Sequence, residues 1–258
     1  MARRHGRWLV VLQAWLALYF LVNIAVRLSL PHTLELDEAE QVFFSQWLRW
    51  GYGPQPPLYN WLQTLVFMAT GPTILGLSLL KNLLLWSCYA FYGLAAHVAL
   101  KDDRLKIAAV LGLLTLPQVS FMAQQDLTHT VALLSATSLF LYAFFRILAA
   151  PTLLSYVLAG VAIGLGFLAK YNFPLLPIAA LLAVLPERDL RDRIFSWKLL
   201  AAIAVAFVVV LPHALWLLGH LDLATAATLE KMTSDIPQSP VAAAASGLAS
   251  LLVAIAAF

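Results

Sequence analysis

The chain has 258 residues, 62% of them hydrophobic and 11% charged, with a mean hydropathy of +0.85 and a formal net charge of +3. A water-soluble fold cannot hide that apolar excess, whereas a bilayer can, and roughly seven or eight spanning helices of about 20 residues fit this length. The basic residues are dispersed rather than gathered in a stripe, which argues against nucleic acid as a partner, and the single cysteine, Cys88, excludes an intrachain disulfide or a cysteine metal cluster.

In chain order, Arg3, Arg4 and Arg7 precede an apolar stretch from Trp8 to Val26. That stretch is too long for a signal peptide and no small-x-small cleavage site follows, so it reads as an uncleaved first span with its amino terminus in the cytoplasm. A mixed segment covers 34–70. Apolar runs then recur near 72–100, 105–118, 127–149, 153–169, 173–186, 198–218 and 241–258. Pro174 and Pro177 interrupt the pattern after Lys170. No tandem repeat divides the chain, so residues 1–258 read as a single transmembrane domain, and the stop at Phe258 inside an apolar run is what a protein truncated at its carboxyl terminus would give. The expected fold class is all-α: a polytopic transmembrane helical bundle with interfacial amphipathic helices in the first outward loop.

Positive charge is retained on the cytoplasmic side of short loops. Placing Arg3, Arg4, Arg7, Lys101, Arg104, Lys106, Arg146, Arg188, Arg191, Arg193 and Lys198 there accounts for 11 of the 16 basic residues and leaves Arg27, Arg49, Lys81, Lys170 and Lys231 outside. The same alternation puts Glu35, Asp37, Glu38, Glu40, Asp126, Asp222, Glu230 and Asp235 on the outward face, which is therefore acidic.

In the first outward loop Ala39, Val42, Phe43, Trp47 and Trp50 recur at helical spacing, which predicts an interfacial helix ended by Gly51 and Gly53. Pro56-Pro57 start a second short helix through Tyr59 and Trp61. Asp37 followed three residues later by Glu40 is a capping-box pattern, and a carboxylate at the membrane rim is also a candidate general base toward a hydroxyl or amine; the two roles are compatible. Asp126 opens a long run and suits a helix start. His129, one turn on, is either a satisfied interhelical histidine or a metal ligand or proton carrier. Gly160 and Gly164 form a small-x-x-x-small face for close helix packing. Lys170, at an outward span end, either snorkels or meets a phosphate. Asp37-Glu38 could hold a divalent metal ion but is not a ligand set by itself, and no other cofactor is indicated.

Three motifs together resemble the polyprenyl-phosphate-dependent glycosyltransferases of the membrane-embedded C superfamily, of the protein-mannosyltransferase, aminoarabinose-transferase and galacturonosyltransferase type (glycosyltransferase family 39 or 83). They are Leu36-Asp-Glu-Ala with Trp47-Leu-x-Trp-Gly-Tyr and Pro56-Pro-Leu-x-x-Trp61, then Asp126 opening Leu127 to Phe145, then Gly164-x-x-x-Leu-x-Lys-Tyr171. The resemblance covers essentially the whole chain, as the amino-terminal part of longer proteins. It implies an inverting transfer of sugar from a polyprenyl-phosphate donor to a lipid, polysaccharide or protein acceptor, on the periplasmic face of a bacterial inner (plasma) membrane. Asp37 is the implied catalytic base with Glu38 beside it. Asp126, Lys170, Tyr171 and His129 are the implied substrate and donor-phosphate residues. The chain departs from the pattern at Gln55 and Pro56, where many relatives carry a charged residue, and at Gln125, where many carry proline. The alternative class is a membrane transporter or lipid flippase, which would also use rim acids and a lysine but would place ionisable groups near mid-span; an inactive assembly subunit is the third.

Overall fold

The computed structural model describes residues 7–223 and 246–249. The expected last span at 241–258, apart from those four residues, lies outside this range, as do Arg3, Arg4, Glu230, Lys231 and Asp235.

Among the described residues all regular structure is helical: α1 (Arg7–Ser29), α2 (Leu36–Phe44), α3 (Leu58–Thr70), α4 (Ile74–Ala99), α5 (Asp103–Gly112), α6 (Ala123–Gln125), α7 (Thr128–Ala149), α8 (Leu153–Ala169), α9 (Leu175–Val184), α10 (Arg188–Ile194) and α11 (Leu199–Leu218). A 3-10 turn at Leu113–Thr115 and a π-helical turn at Gln118–Met122 join α5 to α6.

Helix ends follow the local chemistry. Gly71, with φ of +70°, stops α3, and two residues later the Thr73 side chain accepts from the Gly76 amide to start α4. Asp102 and Thr152 cap α5 and α8 in the same way.

Four helices, Trp8–Ser29, Ile74–Ala99, Thr128–Ala149 and Leu199–Leu218, are long and apolar enough to cross a membrane. The run expected at 105–118 continues instead to Gln125 and bends by 69°. Pro117 lies at the break, where its missing N–H interrupts the helical ladder; counted as one span, the bent pair makes five. The seven or eight spans expected from length are thus fewer among the described residues. The stretch 153–169 forms a helix of 17 residues and 173–186 one of 10, because the chain turns extended at Lys170 and restarts after Pro174.

The long helices pack as a row, α1 on α4, α4 on α7, α7 on α8 and α8 on α11. Small residues permit the close approach. A Cβ on Gly160 would stand 2.4 Å from the Ala202 carbonyl oxygen, and one on Gly164 would stand 2.7 Å from Val209 Cβ, so the small face expected on α8 is the face that meets α11. Across α4 and α7, Ser87 and Ser135 share a 2.6 Å hydrogen bond, and the buried Cys88 thiol lies 3.2 Å from the Ser138 hydroxyl. Alternation along this row gathers the ends of α1, α6 and α8 with the starts of α4 and α7 at one end of the bundle. Lys101, Arg104, Arg146 and α10 fall at the other.

The first loop differs from expectation. The interfacial helix begins at Leu36 and finishes at Phe44, so Trp47 and Trp50 lie beyond it. Residues 46–57 are instead pinned by side-chain bonds: Trp61 Nε1 donates to the Arg49 carbonyl at 2.6 Å and the Tyr52 hydroxyl to the Trp47 carbonyl at 2.8 Å. The second helix starts after Pro57 as expected but runs to Thr70.

Candidate active site

The capping box at the start of α2 is built by Glu35 and Glu38, not by Asp37 and Glu40. Glu35 is the N-cap and its amide donates to Glu38 Oε2 at 3.2 Å. Both pairs have the same spacing, and the tie is broken by what lies opposite. Asp37 turns to a different helix: its Oδ2 accepts from the Thr128 amide at 3.0 Å and the Thr128 hydroxyl at 3.4 Å. Asp37 thereby caps α7 from a distance of 91 residues.

Asp126 reciprocates. Its Oδ1 accepts from the Asp37 amide at 3.3 Å. It is not the first residue of α7 but ends α6, and α7 starts two residues later after Leu127, whose φ of +68° and ψ of +39° lie in the left-handed region. Leu127 is the one non-glycine residue with positive φ among the described residues. Such a conformation costs about 1–3 kcal/mol and marks a place where the surroundings dictate backbone geometry. Here it aims the Asp126 side chain and the Thr128 amide at the same partner.

Two carboxylates in mutual contact repel. Burial, with the Asp37 charge next, holds the Asp126 carboxyl above the usual carboxylate range. Glu40, one turn along α2, is likewise raised, first by burial and then by Asp37 and Asp126. Asp126 and Glu40 therefore hold protons more readily than isolated carboxylates do.

Beneath the acid pair sits a buried ionic network. Glu38 is 2% exposed; its Oε2 receives Arg27 at 2.8 Å and its Oε1 lies 3.8 Å from Lys81 Nζ. Lys81 also donates to the carbonyls of Gln124 and Gln125 at 3.2 and 3.0 Å. It therefore ties the residue after Asp37 to the residue before Asp126. Lys81, one of the basic residues the charge count leaves on the outward side, lies inside α4, seven residues from its start, about 10 Å deep at the helical rise. An ionisable side chain within an apolar run was the available signal.

His129 does not hydrogen-bond Asp126. It is buried on the first turn of α7 beside Tyr59, with ring centroids 6.1 Å apart, and both Asp37 and Lys170 lie within electrostatic range of its ring. Lys170 takes the extended residue at the end of α8 and belongs to none of the ion pairs found among the described residues, which join Arg27 and Lys81 to Glu38 and Lys106 to Asp103. Tyr171 is engaged by the protein itself: its hydroxyl lies 3.0 Å from His213 Nε2, while His213 Nδ1 is 2.7 Å from the Trp50 carbonyl. That carbonyl only accepts, so Nδ1 carries the proton and Nε2 accepts from Tyr171. Burial pushes the Tyr171 phenol up to about 12. His213, which the sequence did not bring forward, thus joins the first loop to the Lys170 turn.

Among the described residues no group of three or more His, Cys, Asp or Glu side chains converges as a metal site. A cleft of about 470 Å³ opens between the end of α1 and Gln118–Gln125, with Asn23, Arg27, Thr33, Glu35, Gln124 and Gln125 among its walls. Its walls include Glu35, two residues before Asp37, and Gln125, the residue before Asp126.

Comparison with known proteins matches residues 54–216 to the family of dolichyl-phosphate-mannose-protein mannosyltransferases. The lipopolysaccharide core galacturonosyltransferase RgtA of Rhizobium johnstonii is 55% identical over 243 residues, covering 94% of this chain and 49% of the relative. RgtB of the same organism, also a lipopolysaccharide core galacturonosyltransferase, is 52% identical over 256 residues, covering 99% of this chain and 51% of the relative. The chain spans about half the length of these curated relatives. No solved structure matches it significantly.

Proposed function

The chain belongs to the dolichyl-phosphate-mannose-protein mannosyltransferase family, and on that premise we propose that it is part of a membrane glycosyltransferase that moves a galacturonosyl group from a polyprenyl phosphate to the lipopolysaccharide core. The family description supports the donor class, and the names of the two relatives support the sugar and the acceptor. Family membership favours this enzyme over the transporter or flippase and over the inactive subunit.

The observation that carries the chemistry is the Asp37–Asp126 contact across 89 residues. Asp37 is the general base. It takes the proton of an acceptor hydroxyl as that oxygen attacks the anomeric carbon, the bond from that carbon to the phosphate oxygen breaks, and polyprenyl phosphate leaves with inversion. Asp126 holds the Asp37 main chain through its amide. Lys170, free of any carboxylate partner within ion-pairing distance among the described residues, stabilises negative charge on the departing phosphate. In-line displacement needs nucleophile and leaving group on opposite faces of the sugar. Positive charge at the other end of the bundle supports an extracytoplasmic site in a bacterial inner membrane.

Reconstituting the full-length protein with lipopolysaccharide core and labelled galacturonosyl or mannosyl polyprenyl phosphate tests the reading. Transfer of the galacturonosyl group is the expected result. Transfer only from a nucleotide sugar, or from neither lipid, overturns it.

A further inference from the structure

Eight buried side-chain nitrogen and oxygen atoms among the described residues have no hydrogen-bond partner within 3.5 Å and in good geometry, and half of them lie on three residues around Asp37: Gln41 Nε2, the Tyr59 hydroxyl and both ring nitrogens of His129, whose ring also faces the Pro56 carbonyl in a looser contact. Tyr59 is 0% and His129 7% exposed. Their rings are neighbours. Asp37 is within electrostatic range of both, and Lys170 of His129. Gln41 stands one turn beyond Asp37 on α2 and spends its side-chain oxygen on Asn60 at 2.9 Å. Buried donors without partners weaken a fold, so a cluster of them beside an acid pair calls for a reason other than stability.

The chemistry of the cluster is specific. A phenol and an imidazole side by side offer both donors and acceptors within one small volume, the Tyr59 hydroxyl being the donor with no competing partner. That set matches the hydroxyls of a sugar ring, each of which also donates once and accepts. A phosphate offers no protons and suits the ammonium of Lys170 instead, so the two elements divide a glycosyl phosphate between them.

We infer that Tyr59 and His129 form the subsite for the transferred sugar, hydrogen-bonding its ring hydroxyls between Asp37 and Lys170. The inference rests on the glycosyltransferase reading above and adds to it the residues that recognise the sugar. Burial keeps water from competing for the same atoms, so a sugar with its hydroxyls correctly placed is favoured over one without.

Tyr59→Phe isolates the claim, because it keeps the ring and its packing and removes only the unpartnered hydroxyl. Binding to the full-length protein in nanodiscs is measured for two probes, galacturonosyl polyprenyl phosphate and polyprenyl phosphate alone. The variant is expected to lose about 10-fold in affinity for the sugar-bearing lipid and none for the bare lipid phosphate, with its unliganded thermal midpoint not lowered. His129→Leu should show the same selective loss. If the two lipids weaken equally, or neither weakens, the sugar subsite is overturned. A parent protein that transfers sugar while Tyr59→Phe matches it in every respect removes the subsite and leaves the glycosyltransferase reading standing; a parent that neither binds nor transfers from the sugar-bearing lipid removes both.

Discussion

Asp37 has one observed role and one proposed role that a pair of substitutions can separate. Its Oδ2 caps α7 at the Thr128 amide, 3.0 Å away, and the same carboxylate is the proposed base. Asn keeps a side-chain oxygen for the cap but cannot take a proton at neutral pH; Ala keeps neither. Asn and Asp are nearly equivalent as N-caps, whereas Ala costs about 1 kcal/mol, within a range of about 0.5–2. Loss of a general base lowers the rate by about 10²–10⁴, equivalent to about 3–5 kcal/mol in the barrier. Asp37→Asn should therefore unfold within about 0.5 kcal/mol of the parent while its turnover falls by at least about 10². Asp37→Ala should lose both activity and stability. The measurements are turnover of labelled galacturonosyl polyprenyl phosphate by the reconstituted full-length protein and thermal unfolding followed by tryptophan fluorescence. An Asp37→Asn protein that keeps a third or more of parental turnover refutes the base assignment, and one that loses stability as Ala does refutes the separation of roles.

Further outcomes follow from the same geometry. Lys81→Met leaves Arg27 as the one cation on Glu38 among the described residues and strands two carbonyls, which should cost about 3–5 kcal/mol as for other broken buried pairs; a Lys81→Met, Glu38→Gln double variant should recover part of that loss in thermal unfolding of purified protein. The Asp126 carboxyl is raised in the folded state, so its favourable contribution is complete below the ordinary carboxylate value and is lost as pH rises through the raised one. Asp126→Asn, which still offers an oxygen to the Asp37 amide, should thus raise the thermal midpoint at pH 8 and leave it little changed at pH 3. Gly160→Ala meets the Ala202 main chain and should destabilise by about 1–3 kcal/mol. Gly112→Ala, with nothing within 4 Å of the new Cβ, serves as the control and should gain about 0.4–1 kcal/mol.

The bundle and the motif acids could be read from the sequence because each rests on a short-range signal. Apolar run length sets a span, Pro174 sets a break, and glycines four apart set the α8 face. What escaped reading depends on residues far apart in the chain. Glu35 and Glu38 have the same spacing as Asp37 and Glu40, and only the Thr128 amide, 91 residues away, decides which pair forms the box. The helical spacing of Trp47 and Trp50 suggested a longer α2, but their loop is held by Tyr52 and Trp61, whose hydrogen bonds leave no trace in apolar periodicity. Lys81 entered a charge count when its position inside an apolar run already set it apart. Tyr59 stood only as a residue of the second short helix, since nothing local reveals an unpartnered hydroxyl.

The cap that Asp37 places on α7 also constrains how the protein is made. In a chain inserted from its amino terminus, the loop bearing Asp37 leaves the ribosome well before Thr128 does, and until then its carboxylate has no helix start to receive. The acid pair is therefore completed only once the Thr128–Ala149 hairpin arm arrives, and Leu127 is held in its left-handed conformation by that late encounter. A nascent chain halted ahead of Thr128 would carry the acidic loop in an unlocked form, which gives the biogenesis machinery a physical difference by which to distinguish unfinished protein from finished.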